Sequence, residues 1–199
     1  MEETRDFDAE ALALFQRLGI DPATAGVGEY NPLDALYRAP SGGTVYVGNQ
    51  IAAQHLAGLQ QLGITHVVNA THGMSAIPNY HQGRGLKYFT FEIAAWGSHV
   101  GPSDESLRAF VAPLFAFIDA ALARGESVLV HCLAGAHRAG TTGVAVLMHY
   151  ARLDVDEAIA TAKRLRRVID PIGRLPDFLR RLRRAQLAAG SGGGGAGLK

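Results

Sequence analysis

Cysteine is nearly absent from this chain: 199 residues hold a single one, Cys132. One thiol excludes an intramolecular disulfide and leaves a reactive cysteine no partner thiol within the chain. Long apolar runs are also missing, and no stretch reaches the length of a membrane span. The opening Met1-Glu2-Glu3 is acidic, unlike the basic start of a secretory signal. Charge of either sign is not in excess. A net charge of +1 calls for neither a nucleic-acid nor a membrane partner. No internal repeat is present. What remains is one domain with short extensions. At 48% hydrophobic residues it can bury a sizeable core. An intracellular, cytoplasmic setting is expected, because reducing conditions keep a thiol free.

The one cysteine lies in the most informative stretch of the chain, His131-Cys132-Leu133-Ala134-Gly135-Ala136-His137-Arg138. Before it, Ser127 to Val130 reads as a short buried strand; after it, Thr141 to Arg152 reads as a helix. A strand, a tight loop and a helix N-terminus gather backbone N–H groups around an anion. Those groups and Arg138 favour the thiolate form of Cys132, the nucleophilic form. A guanidinium closing the loop can grip two phosphate oxygens in its planar fork. Leu133, Ala134, Gly135, Ala136 and His137 are expected to supply N–H groups to phosphate, and Gly135 a backbone conformation that a side chain would obstruct. No Lys-Ser/Thr pair ends the loop, which excludes a P-loop nucleotide hydrolase. No histidines stand at metal-ligand spacing, so neither a metal nor a cofactor is expected.

The cysteine, five residues and an arginine, with glycine three after the cysteine, resemble the signature of the protein tyrosine phosphatase superfamily. Further segments resemble its dual-specificity branch: Val45-Tyr46-Val47-Gly48, then Leu62 to Asn69; Phe115 to Asp119 before Val128 to Cys132; and Asp156 to Arg167 with Phe178 to Leu182. The resemblance implies the cysteine-phosphatase fold, with Cys132 as nucleophile, Arg138 as phosphate clamp and His131 ordering the loop. It also implies a cysteinyl-phosphate intermediate and a phosphorylated protein, or another phosphomonoester, as substrate.

Two departures from the family pattern stand out. The residue after the arginine is usually Ser or Thr, whose hydroxyl helps the cysteine leave in the second half-reaction; here it is Ala139. The family's general acid is an aspartate just past the third strand, worth about 10²–10⁴ in rate. After Ile93 this chain has no carboxylate until Asp104, where Pro-Ser-Asp-Glu also reads as a helix start capped by Ser103. Three readings stay open: Asp104 as the acid, His99 in its place, or no local acid.

The expected organisation is α/β, a mainly parallel sheet of four to five strands flanked by helices. Strands are read at Thr44–Val47, Thr65–Asn69, Tyr88–Ile93 and Val128–His131. Helices are read over residues 6–18, then at Ala52–Leu62, Asp104–Arg124, Thr141–Arg152, Val155–Val168 and Leu175–Ala188. Residues 1–43 read as a helix-and-loop extension, with 21–43 a loop holding one helical turn at Leu33–Tyr37. Residues 44–188 read as the catalytic domain and 189–199 as a flexible Gly-rich tail. The basic run from Lys163 to Arg184 reads as solvated helix faces, or as a surface for an acidic partner. Trp96 reads equally as a lip of the pocket or a cap on the core. The leading function is a dual-specificity-type phosphatase. The alternatives are a phosphatase of a non-protein substrate such as phosphoglucan, and a phosphate-binding pseudophosphatase.

Overall fold

A computed structural model describes residues 5–20 and 30–191. The acidic start, the first part of the 21–43 loop and most of the Gly-rich tail lie outside the described residues. Five strands form one sheet in the order β1-β2-β5-β3-β4: β1 Leu33–Arg38, β2 Thr44–Gly48, β3 Ile64–Asn69, β4 Lys87–Thr90 and β5 Ser127–His131. β2, β5, β3 and β4 run parallel, and β1 adds an antiparallel edge.

β1 corrects the sequence reading, which placed a helical turn there. Leu33–Arg38 is too short for its pattern to separate strand from helix, and pairing with β2 decides it. The boundary expected at residue 44 therefore falls between two paired strands. The expected single helix Ala52–Leu62 is two short ones, α2 Gln50–Gln54 and α3 Leu56–Gln61, broken at His55. The strand expected to reach Ile93 stops at Thr90, and Ile93–Ala95 is a 3₁₀ turn.

β5 is central and every residue of it is buried, as fits a strand covered on both faces. Its carboxyl end is flanked by Gly48 of β2 and Asn69 of β3, both in register with His131. Ligand sites of parallel sheets form at such carboxyl ends. α4 Trp96–His99 and α5 Asp104–Leu122 precede β5; α6 Arg138–Tyr150, α7 Val155–Leu165 and α8 Leu175–Ser191 follow it. α6 is buried from Arg138 to Met148. Gly143 lets it sit on the sheet, since a Cβ there would come within 2.6 Å of Leu36 and 2.7 Å of Val47. Ser103 caps α5 by accepting from the Ser106 N–H at 3.1 Å, as expected.

α1 Phe7–Leu18 forms within the N-terminal extension. Asp6 caps it through the N–H groups of Asp8 and Ala9, and Gly19 ends it at φ 64°, the left-handed position suited to glycine. Its buried Ala11, Leu14 and Phe15 form a small core with Tyr30, Ala134, Ala136 and Val168. The extension is thus packed on the loop that follows β5.

Candidate active site

The loop from Cys132 to Arg138 is fixed by its carbonyls. Leu133 O accepts from the Gln50 N–H at 3.0 Å, and Ala136 O from the Asp170 N–H at 3.2 Å. Ala134 O accepts from the Tyr30 hydroxyl at 2.9 Å and from Arg166 at 3.1 Å. Gly135 O accepts from Arg166 Nε at 2.9 Å. His137 O takes the Thr141 N–H and hydroxyl, and Arg138 O the Thr142 hydroxyl. In a trans peptide the C=O and the next N–H point in opposite directions. With the carbonyls of Leu133, Ala134, Gly135 and Ala136 turned to partners outside the loop, the N–H groups that follow them are left facing inward. Among the described residues, those of Leu133, Ala134, Gly135, Ala136 and His137 donate to no backbone carbonyl. Inward-facing N–H groups on successive residues are the arrangement an anion nest requires.

Gly135 is required twice over. Its φ is +64°, and a Cβ there would lie 2.5 Å from Gly48 O and 2.7 Å from Arg166. Cys132 is buried at the mouth of β5, and His131 behind it is fully buried. Burial drives the His131 imidazole down to about 4, with the Cys132 backbone opposing and Arg138 adding to the fall. His131 is therefore a neutral ring near physiological pH. His137 faces away from the nest, its Nδ1 donating to Asp170 O at 2.6 Å.

Arg138 is buried, with its guanidinium held on three sides. NH1 donates to Ser75 Oγ at 3.0 Å, NH2 donates to Asp8 Oδ1, and the Phe7 ring lies 5.6 Å below it. Its Nε is buried and makes no hydrogen bond among the described residues. The fork therefore retains a donor for an oxyanion oxygen.

The structure brings Cys132, the loop N–H groups, Arg138 and His131 together. The two acid candidates pair with other groups. Asp104 Oδ1 accepts from both Nε and NH2 of Arg184 at 3.0 Å. His99 Nε2 meets Glu92 at 3.0 Å, both near half-exposed, and its ring stacks on Phe110. Ala139 is fully buried at the start of α6.

Sequence reasoning missed Asp8, Tyr30, Ser75 and Arg166. Arg166 corrects the reading of the basic run as wholly solvated: it is 2% exposed. Besides the loop carbonyls it binds Asn31 O at 2.9 Å and Asp34 at 2.7 Å, and it stacks over Tyr30. Burial holds the Tyr30 hydroxyl above the ordinary phenol range, with Arg166 opposing, so it stays a donor. Other members of the run do lie on the surface, paired across it: Lys163 with Asp170, Arg183 with Asp154, and Arg184 with Asp104. Trp96 caps the core, 4% exposed, with Arg174 and Arg181 over its ring.

Among the described residues no group of three His, Cys, Asp or Glu could hold a metal, and no helix is long and apolar enough to cross a membrane. The family model described as dual specificity phosphatase, catalytic domain, matches residues 45–186. The chain is 38% identical over 144 residues to bovine (Bos taurus) dual specificity protein phosphatase 26, an alignment covering 70% of this chain and 65% of that protein. It is 34% identical over 157 residues to human dual specificity protein phosphatase 9, covering 75% of this chain and 38% of that one. The chain thus spans less than two thirds of the length of these curated relatives. Its fold is similar to the crystal structure of a variant of human DUSP28, with TM-score 0.61 and 26% identity, covering 79% of this chain and 98% of that one. A human tyrosine phosphatase-like serine/threonine/tyrosine-interacting protein shares the fold, with TM-score 0.58 and 22% identity, covering 79% of this chain and 97% of that one. Loop geometry, sheet order and sequence agree, and the chain belongs to the dual-specificity phosphatase family.

Proposed function

We propose that this protein hydrolyses phosphomonoesters through a cysteinyl-phosphate, acting on phosphotyrosine, phosphoserine or phosphothreonine of protein substrates in the cytoplasm. The observation that carries the reading is the loop in which the carbonyls of Leu133 to Ala136 are engaged from outside and the N–H groups are left to an anion beside Cys132. The substrate phosphate sits in that nest, with Arg138 forking two of its oxygens. Cys132 Sγ attacks phosphorus in line, the S–P bond forms, and the ester P–O bond breaks toward the leaving oxygen. Charge on the equatorial oxygens is met by donors already in place, so little reorganisation is needed. Water then attacks phosphorus and the S–P bond breaks, returning thiolate and inorganic phosphate. His131, a buried neutral ring behind the thiol, orders the loop. Membership of the dual-specificity branch supports this reading over the phosphoglucan and pseudophosphatase alternatives.

The test is turnover of 4-nitrophenyl phosphate by purified full-length protein. Cys132→Ser abolishes it while preserving the fold and vanadate binding. Arg138→Lys, which keeps the charge and loses the planar fork, costs about 10²–10³ in kcat. Undiminished turnover by the serine variant overturns the covalent mechanism.

A further inference from the structure

In the segment where the family carries its acid, the carboxylates pair with groups away from Arg138, Glu92 with His99 and Asp104 with Arg184. A different carboxylate is already at Arg138. Asp8 is in the first turn of α1, and its Oδ1 accepts from Arg138 NH2 across 130 residues of sequence.

Its position is built rather than incidental. The N–H of Asp8 is itself fixed by Asp6 Oδ1 at 3.0 Å. Phe7 lies against Arg138 and, at 6.4 Å, His137. Further along, Ala11, Leu14 and Phe15 pack on Ala134 and Ala136 of the loop. α1 is therefore seated on the phosphate loop through buried apolar contact. The Asp8 side chain is 33% exposed against 3% for Arg138, so it stands at the rim with the guanidinium below it.

Resting on the hydrolytic function proposed above, we propose that Asp8 is the general acid of this enzyme, supplied by α1 instead of the segment after β4. Arg138 can hold carboxyl and phosphate together. Of the five guanidinium N–H donors, one goes to Ser75 and one to Asp8. Nε–H makes no hydrogen bond among the described residues, and each terminal nitrogen keeps a second hydrogen, which leaves donors for the phosphate. Phosphate on those donors places two anionic groups on one cation, an arrangement relieved by a single shared proton. A substrate bound as the monoanion brings that proton, which passes to Asp8. When Cys132 Sγ bonds to phosphorus and the P–O bond breaks, its electron pair goes to the leaving oxygen. That oxygen takes the proton from Asp8, leaving a carboxylate. In the second step the carboxylate takes a proton from the attacking water as the P–O bond forms and the S–P bond breaks.

The competing role for an acid seated on the clamp is a plug that excludes phosphate, and the two roles predict opposite signs. The experiment measures kcat/KM of the full chain on aryl phosphates of graded leaving groups, from 4-nitrophenyl to phenyl phosphate. Asp8→Asn, nearly isosteric, is expected to lose about 10²–10³ on phenyl phosphate and less than about tenfold on the nitrophenyl ester, because a good leaving group needs little protonation. Unchanged thermal unfolding confirms that α1 stays seated. An equal loss on every ester, no loss, or a gain of activity in Asp8→Ala overturns the proposal. So does a selective loss that appears in Asp104→Asn or His99→Gln instead. Turnover abolished by Cys132→Ser marks the hydrolytic reading as sound in all these cases. Its absence from the wild-type protein overturns that reading first.

Discussion

The loop at 131–138 and the segment at 92–104 are the two halves a cysteine phosphatase needs, and this protein treats them differently. The loop is held by four groups from three separate parts of the chain: Tyr30, Gln50, and Arg166 with Asp170. The 92–104 segment is a 3₁₀ turn and one turn of helix, and its charged groups pair with surface neighbours. An anion nest is a property of local backbone, made by a few consecutive residues and then locked from outside. An acid needs only one carboxyl in reach of the leaving oxygen, and any nearby element can bring it. The nest is therefore over-determined, while the position of the acid is free to move within the fold.

Removing one of the loop's outer partners should destabilise the protein far more than removing a partner of the 92–104 segment. Arg166 is buried with four oxygens around it. Arg166→Met strands Asp34 and the loop carbonyls, and is expected to cost about 3–5 kcal/mol in urea unfolding, as for a buried charge deprived of its partner. Arg184→Ala, which frees Asp104 at a pair whose arginine is 61% exposed, is expected to cost less than about 1 kcal/mol. Equal costs would mean that the loop stands without its outer partners.

Acid provides a milder probe of the same locking. Burial lowers His131 to about 4, against about 6.5 in the unfolded chain. Between those values the unfolded state binds a proton that the folded state refuses, so stability rises with pH. The contribution is complete above about pH 6.5 and is lost as pH falls toward 4, amounting to roughly 3 kcal/mol. His66 and His149 are lowered in the same direction by burial and add to the slope. His131→Gln is expected to flatten the pH dependence of the unfolding free energy over this window. An unchanged slope would place its origin in the other two rings.

The nest was legible because its parts are contiguous. Cysteine, glycine and arginine at fixed spacing between a strand and a helix state the chemistry within one short stretch. The parallel sheet was legible for a related reason, since strands covered on both faces read as apolar runs. What was hidden is what depends on tertiary proximity. Arg166 lies in a run of basic residues, and nothing local separates it from Arg164 or Arg167. Asp8 lies in an N-terminal helix whose first turn would favour acids in any case, so its pairing with Arg138 leaves no sequence signature. β1 was misread because six residues carry too little periodicity, and its identity comes from the neighbouring β2.

Ala139 tests how far the nest alone carries the chemistry. In the family a hydroxyl at this position assists the departure of the cysteine. Here the side chain is a buried methyl. The hydroxyls of α6 that follow it do not replace it, because Thr141 donates to His137 O at 2.6 Å and Thr142 to Arg138 O at 3.0 Å, both committed along the helix. In the proposed reaction the first half-reaction needs no such hydroxyl, since Cys132 Sγ attacks phosphorus directly and the loop N–H groups meet the charge on phosphate. The second half-reaction would then break the S–P bond without a hydroxyl at position 139. Rapid mixing with 4-nitrophenyl phosphate is therefore expected to release a burst of nitrophenol near one equivalent per enzyme, followed by a slower steady rate. Ala139→Ser adds one oxygen and is expected to raise the steady rate a few-fold while leaving the rate of the burst unchanged, provided thermal unfolding shows that the buried site accepts it. A linear time course that serine does not alter would move the slow step to the first half-reaction. The acid on α1, rather than the missing hydroxyl, would then set the rate.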